Sequence, residues 1–130
     1  MADAVDGLGA PIVTELVSRR PERTVFTRFS SPATTINKTR YSAFAEPQLL
    51  QHLQAREADG LIVTGSETDV CVLATVLGAV DLGYRVIVVR DAVCSSSDKG
   101  HDALMTLYHR RYTEQIEVTD AATIMERWEH

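Results

Sequence analysis

Gly60-Leu61-Ile62-Val63-Thr64-Gly65-Ser66-Glu67-Thr68-Asp69-Val70-Cys71-Val72 decides how the rest of the chain is read. The apolar run Leu61 to Val63 has the character of a short buried strand, and Gly65 closes it. From Thr68 the period changes, with Val72, Leu73, Val76, Leu77 and Val80 recurring at helical spacing. Gly83 follows, where a helix C-terminus favours a residue that tolerates a left-handed backbone. Tyr84-Arg85-Val86-Ile87-Val88-Val89 then returns to β-rich composition. Strand, tight turn, helix, glycine and strand make a βαβ unit, whose crossover is expected to be right-handed. Cys71 falls in the first turn of that helix, at the strand's carboxyl end, where open α/β sheets place their ligands. Unpartnered N–H groups and the helix dipole at that point favour a thiolate over a thiol. The alternative is a cysteine packed as a small hydrophobe, and position alone leaves both readings open.

Working outward, residues 11–20 suit a helix with Pro11 in its first turn and Ile12, Leu16 and Val17 on one face. Small, polar residues 1–10 are expected to fray ahead of it. Residues 24–29 read as a strand, residues 30–35 as a loop around Pro32, and residues 36–39 as a short extended piece carrying Lys38. After a loop over residues 41–45, residues 46–57 form an amphipathic pattern with Leu49, Leu50 and Leu53 inward. Beyond the central unit, residues 91–100 read as a long, Ser-rich loop on the same sheet edge as Cys71. A helix over residues 99–110 would turn Ala103, Leu104, Leu107 and Tyr108 to the core. Residues 116–118 suit a last strand, and Thr119 or Asp120 can cap a final helix with Ile124, Met125 and Trp128. The alternation specifies one α/β domain over residues 1–130: a three-layer α/β/α sandwich around a mostly parallel, Rossmann-like sheet.

Composition narrows the function classes. A net charge of −5 without a Lys/Arg cluster argues against a nucleic-acid surface. No apolar stretch reaches the length of a membrane span, and the N-terminus lacks the layout of a signal peptide. Two cysteines without a disulfide framework suit a reducing cytoplasm.

Three separated motifs carry a family resemblance. Gly65 to Val72, followed by Ala74-Thr75 and Asp81-Leu82-Gly83-Tyr84, resembles the signature of isochorismatase-like cysteine hydrolases. Lys38-Thr39-Arg40-Tyr41-Ser42-Ala43-Phe44 resembles that family's lysine segment, and Asp91-Ala92 with His101-Asp102-Ala103-Leu104 follows its downstream course. The resemblance implies attack on a small amide, imide or related carbonyl by Cys71 as nucleophile, with Lys38 as the cation beside it. It further implies a cis Ser66–Glu67 peptide that aims the backbone N–H groups of Glu67 and Cys71 into an oxyanion hole.

Against the family pattern, this chain has no apolar N-terminal strand ending in the family's aspartate, and neither Asp3 nor Asp6 takes that role. The connection between Phe29 and Lys38 is short, so the chain resembles an N-terminally shortened member. His52, His101, His109 and His130 lack ligand spacing, so no metal or cofactor is expected. An exposed sheet edge would favour a homo-oligomer. Asp69 is expected to support the helix start as a cap or first-turn carboxylate, Thr68 to cap it, and Cys94 to serve structure. The rival to a hydrolase acting on a small-molecule substrate is a catalytically silent relative serving as a small-molecule binding or assembly module. A nucleotide-binding turn is disfavoured, since Gly65-Ser66-Glu67-Thr68 lacks the necessary glycines.

Overall fold

The structure is a computed structural model that describes residues 25–26 and 34–127. The helix expected over residues 11–20, the fraying segment 1–10 and Trp128 lie outside the described residues, as does most of the strand expected over 24–29. Strand β1 (Val25–Phe26) pairs in parallel with β2 (Thr34–Thr35). A 3-10 turn at Ala43–Ala45 leads into α1 (Pro47–Ala55), which starts at Pro47 because a first-turn N–H has no helical partner to lose. Then come β3 (Gly60–Ser66), a π turn (Thr68–Val72), α2 (Leu73–Asp81), β4 (Arg85–Cys94), α3 (Asp98–Arg111), β5 (Ile116–Thr119) and α4 (Ala121–Arg127).

Strands β3, β4 and β5 form a parallel sheet in that order. Their near-continuous apolar runs follow from burial on both faces. Val86 and Val88 of β4 pack with Val72, Val76 and Ala79 from the π turn and α2, and with Leu104 and Tyr108 of α3. The intervening Ile87 and Val89 face the other way, against Ile124 of α4. Leu61 and Val63 of β3 share the first side, Ile62 the second. Period-two alternation thus makes three layers, with α2 and α3 on one face and α4 on the other. Helix α1 buries Leu49 and Leu53 against Ile36, Ala43, Leu61 and Tyr84, while Leu50 is only half-buried.

Helix α2 ends as Gly83 takes φ +89°, open to solvent on the side where a Cβ would stand. The Gly83 N–H bonds to the Val80 carbonyl at 3.0 Å and the Tyr84 N–H to the Ala79 carbonyl at 3.0 Å, so the reversal satisfies two end carbonyls.

Three expectations require correction. Thr34 and Thr35, placed in the loop expected over residues 30–35, instead pair with β1 as β2. Strand β4 continues to Cys94, so the long loop expected over residues 91–100 shrinks to Ser95, Ser96 and Ser97 before α3. Buried Ala92 and Val93 extend the strand, and a register shift allows it: Val63 pairs with Val88, but Gly65 pairs with Val93 and Ser66 with Cys94. Helix α3 turns only Leu104 and Tyr108 fully inward; Ala103 and Leu107 are exposed, since this largely polar helix lays a narrow i, i+4 stripe on the sheet. The last helix is capped by Asp120, whose Oδ1 accepts from the Thr123 N–H at 2.8 Å.

Candidate functional site

The site is built where β3 gives way to α2. The Ser66–Glu67 peptide is cis, and Glu67 is extended with φ −94° and ψ 141°. Its carbonyl then accepts from two amides of the following turn, Val70 at 3.1 Å and Val72 at 3.0 Å. The i→i+5 closure to Val72 makes this a π turn rather than an α-helical one. Cys71, between those two donors, is half-buried.

Three consecutive residues of this segment reach toward the start of α3. Glu67 accepts from the Ser96 N–H at 3.2 Å through Oε1 and from the Ser96 hydroxyl at 3.0 Å through Oε2. Asp69 Oδ1 accepts from the Ser95 hydroxyl at 2.7 Å, the shorter of that hydroxyl's two carboxylate contacts; Glu67 Oε2 lies 3.4 Å away. Thr68 is fully buried, and its Oγ1 lies 2.9 Å from His101 Nδ1. Thr68 is therefore no helix cap, contrary to its sequence reading: the hydroxyl is spent across the fold on α3.

Helix α3 is shaped to receive these groups. Ser97 caps it by accepting from the Gly100 N–H at 3.0 Å, and the Ser97 N–H in turn donates to the Ser95 hydroxyl at 3.0 Å. A Cβ on Gly100 would fall against the Asp69 carboxylate, with Cγ at 2.7 Å. Glycine in the helix's first turn is what lets that carboxylate lie on it.

Lys38 sits on the segment before the 3-10 turn. That turn is fastened to α2: the Ala43 N–H donates to Thr75 Oγ1 at 3.0 Å, and Ser42 and Phe44 lie against Gly78. The lysine segment and the helix that follows Cys71 are thereby joined. The ammonium itself donates to the carbonyls of Arg40 at 2.9 Å and Tyr41 at 3.3 Å, within its own loop. Cys94, the register partner of Ser66, has its thiol pushed up from the ordinary range, by burial first and then by the negative charge of Glu67, against an opposing hydrogen bond with Ser66. Among the described residues no cluster of His, Cys, Asp and Glu could hold a metal ion, and no helix is long and apolar enough to cross a membrane.

Sequence reasoning passed over Ser95, Ser96 and the imidazole of His101. One signal for them was Gly100, a glycine in the first turn of a helix with no turn for it to make.

The comparisons with known proteins agree with this architecture. The isochorismatase domain model matches residues 9–122. An uncharacterized isochorismatase family protein, PncA, from Bacillus subtilis is 42% identical over 66 residues, covering 51% of this chain and 36% of that protein. A probable inactive nicotinamidase from Arabidopsis thaliana is 38% identical over 69 residues, covering 52% of this chain and 35% of that one. The crystal structure of the nicotinamidase/pyrazinamidase PncA from Bacillus subtilis superposes with a TM-score of 0.62 at 27% identity, over 81% of this chain and 54% of that chain. The chain spans about half the length, or less, of the curated relatives it matches. With a parallel sheet, a cysteine turn after β3 and a domain match over most of its length, the chain belongs to the isochorismatase family.

Proposed function

We propose that this chain is a catalytically silent member of its family, keeping the Cys71 turn as a small-molecule binding or assembly module. The observation that carries the reading is where the charges of the site are spent. The Lys38 ammonium is tied to the Arg40 and Tyr41 carbonyls, Glu67 to Ser96, and Asp69 to Ser95. Hydrolysis through a cysteine nucleophile needs a group to take the thiol proton and activate water, and among the described residues Lys38, Glu67 and Asp69 are held in structural bonds instead. Likeness to a relative described as a probable inactive nicotinamidase supports the same reading. Self-association belongs to it, and sedimentation velocity measures that directly. The functional test incubates the chain with nicotinamide and a panel of small amides and imides, with loss of each compound and appearance of its carboxylic acid read by mass spectrometry and Cys71→Ala as the blank. The expected result is no acid above the blank. Acid formation that depends on Cys71 overturns the proposal.

One observation favours a second reading, a hydrolase of a small amide or imide. Cys71 stands half-buried in a π turn just past the carboxyl end of β3, a position suited to a reacting thiol. In that case the Cys71 sulfur attacks the carbonyl carbon, the C–N bond breaks, and the leaving nitrogen carries off the proton the thiol gave up. Water then cleaves the thioester. Lys38 and the amides of Glu67 and Cys71 would stabilise the negative charge.

A further inference from the structure

We propose that His101 is a positioning residue: through its hydrogen bond to Thr68 it fixes the turn that presents the Cys71 thiol. This goes beyond the functional reading, because it concerns how the thiol is held, with or without turnover.

Thr68 is the first residue of the π turn and is fully buried. Its hydroxyl is satisfied by an imidazole 33 positions away in sequence, at 2.9 Å. A threonine hydroxyl both donates and accepts, so it completes this bond whichever tautomer the ring adopts. The rest of the turn hangs from the Glu67 carbonyl through the Val70 and Val72 N–H groups, with Cys71 between them. Thr68 follows Glu67 directly, so the bond that holds its side chain also holds the start of the turn whose Val72 N–H, next to Cys71, bonds the Glu67 carbonyl. Removing the imidazole leaves a buried hydroxyl without a partner, and the turn must rearrange or admit water to satisfy it.

Packing alone does not account for this histidine. The core contacts of α3 are made by Leu104, Met105 and Tyr108, whereas His101 lies half-buried on the first turn. That first turn is held independently by the Ser97 cap and by the serine bonds to Glu67 and Asp69. The imidazole thus stands on a fixed platform and reaches the one turn residue whose side chain is completely enclosed.

The test is the rate of Cys71 alkylation by iodoacetamide in the intact chain, read by mass spectrometry against Cys94 in the same sample. Cys94 is an apt reference because β4 holds it beside Ser66 of β3, outside the turn. His101→Ala is expected to change the Cys71-to-Cys94 rate ratio by about five-fold or more, the shift in population that loss of one hydrogen bond brings. Thr68→Val, which keeps the side-chain shape, should change it equally, and the double variant no further. His101→Asn, whose amide can still meet Thr68, should restore the ratio. A ratio unchanged in His101→Ala overturns the proposal, even where the melting temperature falls. If His101→Ala does not fold, an unchanged ratio in Thr68→Val overturns it instead. No substrate enters the assay, so its failure is distinct from any failure of the functional reading.

Discussion

Gly100→Ala should destabilise this protein, although the same change in an exposed helix ordinarily stabilises it. Alanine in place of glycine gains up to about 1 kcal/mol of helix propensity. Here the new Cβ would fall against the Asp69 carboxylate, 2.7 Å from Cγ and 3.2 Å from the Ser97 hydroxyl. The carboxylate has to move, and its 2.7 Å bond from Ser95 is then lost. A hydrogen bond to a charged group is worth about 1.5–3 kcal/mol, so the net loss is roughly 0.5–2 kcal/mol. For a chain of this size that lowers the melting temperature by roughly 2–8 °C. Urea unfolding of four proteins gives the answer: the parent, Gly100→Ala, Asp69→Ala and the double variant. In the Asp69→Ala background the obstruction is gone, so Gly100→Ala should turn stabilising. The sign reversal is the signature of direct contact. If Gly100→Ala has the same effect in both backgrounds, the carboxylate does not rest on α3 and the account of the turn is wrong.

Three further outcomes are expected. The Tyr108 hydroxyl is fully buried and has no hydrogen-bond partner among the described residues, so Tyr108→Phe should leave stability unchanged or raise it by about 1 kcal/mol in urea unfolding. Burial pushes that phenol from 10.0 up to about 12, so stability should be intact below pH 10 and fall between there and pH 12; Tyr108→Phe should flatten this alkaline loss. Asp120 is held below the ordinary carboxylate range, chiefly by the Thr123 backbone bond, and also pairs with Arg90 at 3.0 Å. Its stabilisation is present above the unfolded carboxylate value and lost as pH falls through the lowered one, so Asp120→Ala should shift the melting temperature at pH 7 and progressively less on acidification. The Cys94 thiol is raised by burial and by Glu67, so its alkylation should reach half-maximal rate above the pH of an ordinary free thiol, and Glu67→Gln should bring that midpoint down.

What could be read from the chain divides by the range of the forces involved. Leu61 to Val63 and Val86 to Val89 announce themselves because strands covered on both faces need apolar residues at every position. Gly83 is equally plain, since a local left-handed reversal has a local chemical requirement. The run of Ser95, Ser96 and Ser97 looks like an unstructured loop for the opposite reason. The hydroxyls of Ser95 and Ser96 have partners, but these are Glu67 and Asp69, some 26–29 positions earlier. Nor does local composition show that β4 slips its register against β3 and so carries Cys94 alongside Ser66. Thr68 joins both kinds of information. Next to a helix start, threonine suggests a cap, and only its complete burial against α3 assigns the hydroxyl to His101.

The same distinction bears on the chemistry. A motif specifies which side chains stand near a turn, whereas function depends on what each is free to do there. Glu67, Thr68 and Asp69 are consecutive, and all three side chains are bound to the first turn of α3 or to the serines before it. They clamp the turn and leave Cys71 as its half-buried thiol. The Ala43–Thr75 bond ties the lysine segment to α2, while the Lys38 ammonium is bonded within its own loop. On the proposed reading, a turn clamped through three side chains suits holding a ligand better than moving protons, which need groups able to change partners. That is why loss of the clamp should alter the reactivity of Cys71 while the amide panel stays silent.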